Sequence, residues 1–296
     1  MKKHGIAILF AGTFWGLMGI FVRHLTDCGF DTPGVLFVRC SIAAVAFGIV
    51  ILLKDPKQFR VALKDIWCFF GVGILSLLFF TYSYFRAINM MSLSAAGIML
   101  YTAPAIVMLI SLFVFHEKLT KIKVLALVMA FCGCALASGI SGGNSSVTAE
   151  GIIYGLCSGL GYAMYSIFAR LALDRGYSSS TVTFYATALA AVGSAVIWGI
   201  SEPAELMFAS AENIVWCIAT GLVSCFLPYM LYTYGLKGME TGKASIMASV
   251  EPVVASIVGV LIFRERMDVF GLTGILLVLG AIAILNIKTE NIKQSK

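Results

Sequence analysis

Two ionisable side chains, Arg39 and Glu251, lie inside long apolar stretches of the sequence. An ionisable group inside a membrane costs about 2.5–3.5 kcal/mol on insertion scales, so such groups usually mark a functional site. Glu251 precedes Pro252, and a proline inside a helix frees a backbone carbonyl and loosens the turn. A carboxyl at such a break could bind a cationic group or exchange a proton. Alternatively, it is a structural carboxyl that is hydrogen-bonded to a neighbouring helix.

Arg39 can also be interpreted in two ways. Its guanidinium could anchor a carboxylate or a phosphate, because the planar group matches both in geometry. Alternatively, its long stem could carry the charge to the outer membrane surface. The residue lies about six positions into its apolar stretch, and this shallow position favours the second interpretation.

Aromatic residues near the middle of apolar stretches are candidates for the wall of a binding pocket. Tyrosine offers a flat apolar face and a hydroxyl that needs a partner when it is buried. Together with Arg39 and Glu251, the candidate substrate-binding residues are Trp15, Tyr82, Tyr101, Tyr162 and Tyr229. Pro104 and Pro252 are candidates for kinks or hinges in their helices.

The motifs of common enzyme classes are incomplete in this sequence. His116-Glu117-Lys118-Leu119-Thr120 begins like a zinc-protease helix but has Thr where the second metal-binding His would stand. Cys132-Gly133-Cys134 places its two thiols on different sides of a helix, with no His or carboxylate nearby. The sequence has no phosphate-binding glycine loop. We therefore predict that the chain is not an enzyme and uses no metal and no cofactor.

The composition excludes a soluble domain. Of the 296 residues, 60% are hydrophobic and only 12% are charged, whereas soluble proteins carry about 25% charged residues. A bilayer core of about 30 Å requires about 20 apolar residues of helix. We predict an all-α membrane protein with ten transmembrane helices, at about 6–26, 33–53, 66–88, 93–115, 122–140, 150–172, 179–200, 212–236, 243–263 and 269–287.

The distribution of basic residues predicts the orientation. Lysine and arginine concentrate on the cytoplasmic side of membrane proteins, so the net charge of +6 indicates topology rather than binding to nucleic acid. If the N-terminus is inside, 16 of the 21 basic residues face the inside and four the outside, while Arg39 lies within a span. This asymmetry predicts a multi-pass protein of the cell membrane with both termini in the cytoplasm.

The two halves of the chain repeat each other at an offset of 147 or 148 residues. Examples of matched pairs are Gly12 with Gly159, Tyr84 with Tyr232, Pro104 with Pro252, and Glu117 with Glu265. Each half holds five predicted spans, an odd number, so the second half must enter the membrane in the opposite sense. We predict two inverted five-helix repeats, residues 1–142 and 143–296. Inverted repeats are typical of secondary transporters.

Two paired segments indicate a family. In Ala103-Pro104 through Lys118 and in Glu251-Pro252 through Arg266, a proline inside an apolar helix precedes a loop glutamate by 13 residues. Together with Phe14-Trp15-Gly16 and Phe37-Val38-Arg39, these segments resemble the EamA-type transporters of the drug/metabolite transporter superfamily. The resemblance implies a ten-helix, inverted-repeat carrier with a central cavity. Members of that family move amino acids, other metabolites or drugs.

The architecture and the resemblance predict a secondary transporter of a small metabolite, which is an amino acid, a related organic solute or a drug. We expect it to work by alternating access and to export its substrate. Its expected partners are the small-molecule substrate, the lipid bilayer and protons as coupling ions. Two alternatives stay open at this point: a membrane-embedded enzyme that acts on lipid or isoprenoid substrates, and a channel.

Overall fold

The computed structural model describes the backbone of residues 2–91, 93–137, 148–264 and 268–294. It describes the side chains of these residues except those of Lys2, Leu93, Ser94 and 286–294. The described part is helical and contains no strand, which confirms the predicted all-α class. The predicted boundary between the repeats at 142/143 lies outside the described residues, as do Glu265 and Arg266.

The first half of the chain forms eight α-helices. They are α1 (Lys2–Gly16), α2 (Met18–Asp27), α3 (Thr32–Lys54), α4 (Ile66–Phe70), α5 (Phe79–Ile88), α6 (Leu93–Leu100), α7 (Ala103–Val114) and α8 (Lys121–Ala137). Two short 3-10 turns, Pro56–Phe59 and Leu63–Asp65, connect α3 to α4. A π-helical stretch, Gly71–Leu78, joins α4 to α5 without a gap.

The second half forms eight more α-helices in a matching order. They are α9 (Ala149–Asp174), α10 (Ser179–Trp198), α11 (Ser201–Phe208), α12 (Ala211–Gly221), α13 (Leu227–Leu236), α14 (Thr241–Ala248), α15 (Val250–Leu261) and α16 (Val269–Gln294). A π-helical stretch, Leu222–Phe226, joins α12 to α13. It falls at the position that matches the end of the first π-helical stretch, 148 residues earlier.

Within the described residues, eight helical stretches are long and apolar enough to cross a membrane. Their ends agree with eight of the predicted spans to within three residues. They are Lys3–Asp27, Thr32–Lys54, Leu63–Ile88, Ala95–Val114, Ala149–Asp174, Ser179–Trp198, Ala211–Leu236 and Thr241–Leu261. The predicted fifth and tenth spans coincide with α8 and with the apolar part of α16, Val269–Leu285.

Two of the described spans are broken at a proline, while the first span is interrupted at Leu17, between α1 and α2. Proline has no N–H to donate to the carbonyl four residues earlier. For Pro104 that carbonyl belongs to Leu100, and α6 ends at Leu100. For Pro252 it belongs to Ala248, and α14 ends at Ala248. Each proline therefore lies in the first turn of the second segment of its span, directly after the break.

Backbone carbonyls at the breaks lie against glycines of the other half. A methyl group added at Gly12 of α1 would lie 2.8 Å from the carbonyl oxygen of Ala248. One added at the matching Gly159 of α9 would lie 2.9 Å from the carbonyl oxygen of Met99. Only a residue without a side chain permits such close backbone approach. Each half thus packs a glycine closely against the broken helix of the other half.

Matching helices of the two halves pack side by side and run antiparallel. Pro33, at the start of α3, accepts a hydrogen bond from Ser194 near the end of α10 at 3.4 Å, whereas Gly48 further along α3 faces Phe184 near the start of α10. The other matched pair, α8 and α16, also packs closely.

The connections between the helices form two ends of the bundle. At one end the segments 54–65, 116–123, 170–178 and 234–243 are held together by bonds such as Ser178–Gln58 and Lys123–Glu240. These four segments carry 11 lysines and arginines, and we call this the basic end. The opposite end, with the segments 23–34, 86–91 and 198–213, is joined by contacts such as Arg86–Glu150 and His24–Glu212. We call it the mouth end.

Candidate functional site

A cavity of about 460 Å³ lies between the two halves. Its walls come from α1, α2, α3, α5, α6, α8, α9, α13 and α15, so both halves and both proline-broken spans contribute. The cavity reaches the mouth end, where Arg23, Thr32 and Phe85 line it. Its volume lies within the range of about 300–1,000 Å³ that is usual for small-molecule sites.

The structure brings most of the predicted site residues together in this cavity. The residues that line it are Trp15, Arg39, Tyr101, Tyr162, Tyr229, Glu251 and the predicted hinge Pro252. Pro104 is buried and does not line the cavity. Helix breaks near the cavity explain this convergence, because they let α6 and α15 turn their ends toward the same space.

Tyr82 lies elsewhere, and the sequence-based choice of this residue as an interior group was wrong. Its side chain is 42% exposed on the outer face of α5, between the rings of Tyr154 and Trp198. Tyr84 lines the cavity instead. Two residues along a helix turn the side chain by about 200°, so Tyr82 and Tyr84 cannot both face inward.

Aromatic rings form the inner end of the cavity, toward the basic end. The ring of Trp15 packs edge-on against Tyr162 at 6.2 Å and against Tyr229 at 5.2 Å between centroids. It also lies 5.3 Å from the ring of Tyr232. Edge-to-face packing of this kind is attractive and dense. This inner end of the cavity therefore offers a flat apolar surface bordered by hydroxyl groups.

Glu251 presents its carboxyl group to the cavity from the first turn of α15. Tyr162 of α9 donates a hydrogen bond to Glu251 Oε2 at 3.0 Å. This bond orients the carboxyl and leaves its other oxygen available to a ligand. The carboxyl makes no ion pair with any residue that the structure describes.

Arg39 enters the cavity from α3 and does not extend to the membrane surface. Its Nη1 donates to the thioether sulfur of Met18 at 2.8 Å, and its Nε is buried without a hydrogen-bond partner among the described residues. The Cys225 thiol and the Tyr229 hydroxyl are its other close neighbours. The guanidinium thus sits among weak acceptors at the side of the cavity.

Sequence reasoning did not select several residues that line the cavity. Arg23 and Ser256 are examples, together with Tyr84. The pairing of Tyr84 with Tyr232 in the repeat was a usable signal, because both lie at the same position of matching helices. Arg23 lies near a span end, where a basic residue is common for reasons of topology, so its sequence position gave no such signal.

The structure offers no obvious metal site in the part of the chain that it describes. There, no group of three or more His, Cys, Asp or Glu side chains is placed to hold a metal ion. Cys132 is exposed and Cys134 is buried, so the two thiols of that motif point to different surroundings.

Comparison with known proteins connects this architecture to transport. The model of the EamA-like transporter family matches the chain twice, at residues 3–139 and 149–287. An uncharacterized transporter of Archaeoglobus fulgidus is 30% identical over 287 residues, which cover 96% of each chain. The uncharacterized transporter YxxF of Bacillus subtilis is 25% identical over 288 residues, which cover 96% of this chain and 90% of the relative. A solved crystal structure with 16% identity shares the fold over 99% of each chain, with a TM-score of 0.80.

Proposed function

Because this chain belongs to the EamA-like transporter family, we propose that it is a secondary transporter that moves a small organic solute by alternating access. The observation that carries the proposal is the cavity, which reaches the mouth end and is closed toward the basic end. A channel would need a continuous path, whereas a carrier exposes its site to one side at a time.

Contacts between helix ends close the basic end, and the first of them lies within the second half. Arg170 of α9 donates to the carbonyl oxygens of Leu236 and Met239, at 3.2 and 3.0 Å. This contact fixes the end of α9 to the end of α13. A cation at the last carbonyls of a helix is stabilised by the helix dipole as well as by the hydrogen bonds.

A second closing contact joins the loop of the first half to a helix of the second half. The Glu117 carboxylate accepts hydrogen bonds from the backbone N–H groups of Thr241 and Gly242, at 2.5 and 3.1 Å. These N–H groups belong to the first turn of α14 and lack partners within the helix. Glu117 therefore caps the broken span that holds Glu251, from outside that span.

The proposed carrier consists of two inverted five-helix repeats, residues 1–142 and 143–296, with ten spans in all. The antiparallel packing of α3 with α10 supports this arrangement, because matching helices of inverted halves must run in opposite directions. The two matches of the family model, one in each half, support it as well. The 11 basic side chains of the basic end favour a cytoplasmic position for that end and for both termini, in the cell membrane.

Glu251 is the group that we propose for proton coupling. It is a titratable side chain in the cavity wall, it contacts only Tyr162 among the described hydrogen-bond partners, and it lies on a span that the closing contacts hold. A carboxyl in this position can carry a proton in one state and release it in the other. Export is the direction that we propose.

Purified protein in liposomes tests the proposal with a panel of labelled amino acids, organic acids, amines and neutral solutes. We expect flux of at least one solute, its acceleration by an imposed pH gradient, and loss of that acceleration in Glu251→Gln. Glu205→Gln is the matched control, because Glu205 is an exposed carboxyl on α11. Absence of flux for the whole panel, or single-channel currents in planar bilayers, would contradict the proposal. Inside-out and right-side-out liposomes give the direction.

A further inference from the structure

Among the described residues, no carboxylate forms an ion pair with Arg39, and the Glu251 carboxyl acts on it without direct contact. The hydrogen bond from its Nη1 goes to a thioether, which is a weak acceptor. A partly buried cation without a direct partner of opposite charge keeps part of its desolvation cost. An anion that enters the cavity would supply the missing charge.

The repeat shows that the fold itself does not need an arginine at this position. Arg39 matches Ala186, 147 residues later, in the equivalent helix α10. Ala186 is buried in the core. The same helix is therefore built in the other half with a methyl group where α3 carries a guanidinium. The arginine serves the cavity, because the matching alanine does not line it.

Glu251 is likewise without an equivalent, and it does not neutralise Arg39. It matches Ala103, a buried residue at the start of α7. Glu251 accepts its hydrogen bond from Tyr162 rather than from Arg39. The two groups stand on different helices of different halves, with the cavity between them.

The rest of the lining favours an anion with an apolar body. Arg23 also lines the cavity at the mouth end, where its guanidinium lies over the ring of Phe263. The surfaces beside Arg39 are aromatic and include the rings of Trp15, Tyr162 and Tyr229. A guanidinium binds a carboxylate with two parallel hydrogen bonds.

We propose that Arg39 binds a carboxylate of the substrate, so that the cavity takes small organic acids with an apolar or aromatic body. This proposal rests on the proposed function, because it names the class of substrate that the same cavity takes. Binding itself is independent of transport. The geometry therefore gives two separate tests, one of binding and one of flux.

Three probes of matched shape test the binding: 3-phenylpropanoate, 3-phenylpropanamide and 3-phenylpropylamine. Their affinities for purified protein in nanodiscs are measured by equilibrium dialysis of labelled compounds. We expect the acid to bind about 10–100-fold more tightly than the amide, the range that one hydrogen-bonded charge gives. We expect the amine to bind more weakly than the amide. Equal affinity for the acid and the amide, or preference for the amine, would overturn the proposal.

Variants assign the preference to Arg39. In Arg39→Met the acid should lose its advantage over the amide, while Arg39→Lys should keep the sign of the preference at a smaller magnitude. Arg86→Gln is the control, because Arg86 is half exposed, pairs with Glu150 and lies outside the cavity. A preference for the acid that survives Arg39→Met would place the anion site elsewhere and refute the proposal.

Thermal stability separates this role from a structural one. Removing a partly buried charge that has no direct ion partner relieves part of its desolvation cost, so Arg39→Met should unfold at a higher temperature than the parent protein without ligand. A structural arginine would give the opposite shift. If the acid binds but no solute moves in liposomes, the proposed transport function fails and the site stands. If amines or neutral solutes move and acids do not bind, the site assignment fails and the transport function stands.

Discussion

The basic end and the mouth end are built from matching helices, yet the side chains that meet there differ in chemistry. At the basic end, Tyr165 and Thr233 share a hydrogen bond of 2.9 Å between their hydroxyl oxygens. Ser166 and Tyr232 share another of 2.7 Å. Both pairs join α9 to α13 beyond the aromatic rings that form the inner end of the cavity. Such a hydrogen bond usually contributes roughly 0.5–1.5 kcal/mol net to stability.

The matching positions at the mouth end carry no such pairs. Tyr165 and Thr233 correspond to Met18 and Phe85, and both of those line the open cavity. Ser166 corresponds to Gly19, which leaves open space where a side chain would stand. Closure at the mouth end would therefore depend on apolar contact, whereas closure at the basic end also has directional bonds. In the proposed carrier, this difference would favour the state in which the basic end is closed.

The matched arginines share an aromatic neighbour across the two halves. Arg23 lies over the ring of Phe263 at 3.9 Å, and Arg170 lies near the ring of the matching Phe115 at 5.8 Å. Arg170 also donates to two carbonyl oxygens of its own half, those of Leu236 and Met239.

The largest effect is expected from adding a methyl group at the glycines that seal the broken spans. Gly12→Ala and Gly159→Ala would each force a carbonyl contact below 3 Å, and overpacking of this kind costs roughly 1–3 kcal/mol. We expect both variants to unfold at clearly lower temperature in detergent. Gly19→Ala is the control, since a methyl group there meets nothing within 4 Å. Unequal losses at Gly12 and Gly159 would show that the two breaks are not equivalent.

A smaller effect is expected from Glu117→Ala. The variant leaves the first N–H groups of α14 without their cap, and loss of a cap costs about 0.5–2 kcal/mol. Hydrogen exchange at Thr241 and Gly242 should therefore become roughly 2–30-fold faster, because about 1.4 kcal/mol corresponds to a factor of ten. Glu205→Ala, on the exposed face of α11, should leave these amides unchanged. Unchanged exchange in Glu117→Ala would remove this residue from the closing contacts.

The hydroxyl pair at the basic end gives the third test. Tyr165→Phe combined with Thr233→Val should make closure of the basic end less favourable by about 0.5–1.5 kcal/mol. Distances between spin labels on the segments 54–65 and 116–123 should then show a larger open population at the basic end. The reciprocal exchange, Met18→Tyr with Phe85→Thr, should favour closure at the mouth end. If neither pair of substitutions moves the distances, the chemistry of the two ends does not set the resting state.

The smallest effect is expected from Tyr82→Phe. The hydroxyl lies on the outer face of the bundle, away from the cavity, and surface substitutions usually change stability by less than about 0.5 kcal/mol. Flux in liposomes and unfolding temperature should match those of the parent protein. Tyr162→Phe, which removes the bond to Glu251, should alter the pH dependence of flux. Equal behaviour of these two variants would argue against a role for the Glu251 carboxyl.

Most of the spans were predictable because each is an unbroken run of apolar residues, and length alone identifies such a run. The candidate site was predictable in large part for a similar reason. Arg39 and Glu251 stand out by type against an apolar background, and the aromatic residues cluster near them in the fold. The depth of Arg39 was not predictable, because it depends on which neighbours surround the side chain. Met18 and Tyr229 come from other helices, and single-sequence spacing does not reveal them.

The wrong choice of Tyr82 has a related cause. The face that a residue presents depends on the phase of its helix, and a π-helical stretch changes that phase by one residue. Gly71–Leu78 lies directly before α5, and its composition does not differ from that of an ordinary apolar helix. The exact ends of α6 and α14 were missed as well, although the prolines that cause them were selected.

The π-helical stretches leave each half with a spare residue inside a membrane span. Deleting a single residue from Gly71–Leu78 would convert the stretch to regular α-helix and rotate everything after it by about 100°. Tyr84 would then turn away from the interior, while the span would remain long enough to cross the bilayer. Deleting one codon there would thus change which residues this span presents to the interior, and it would leave the membrane architecture intact.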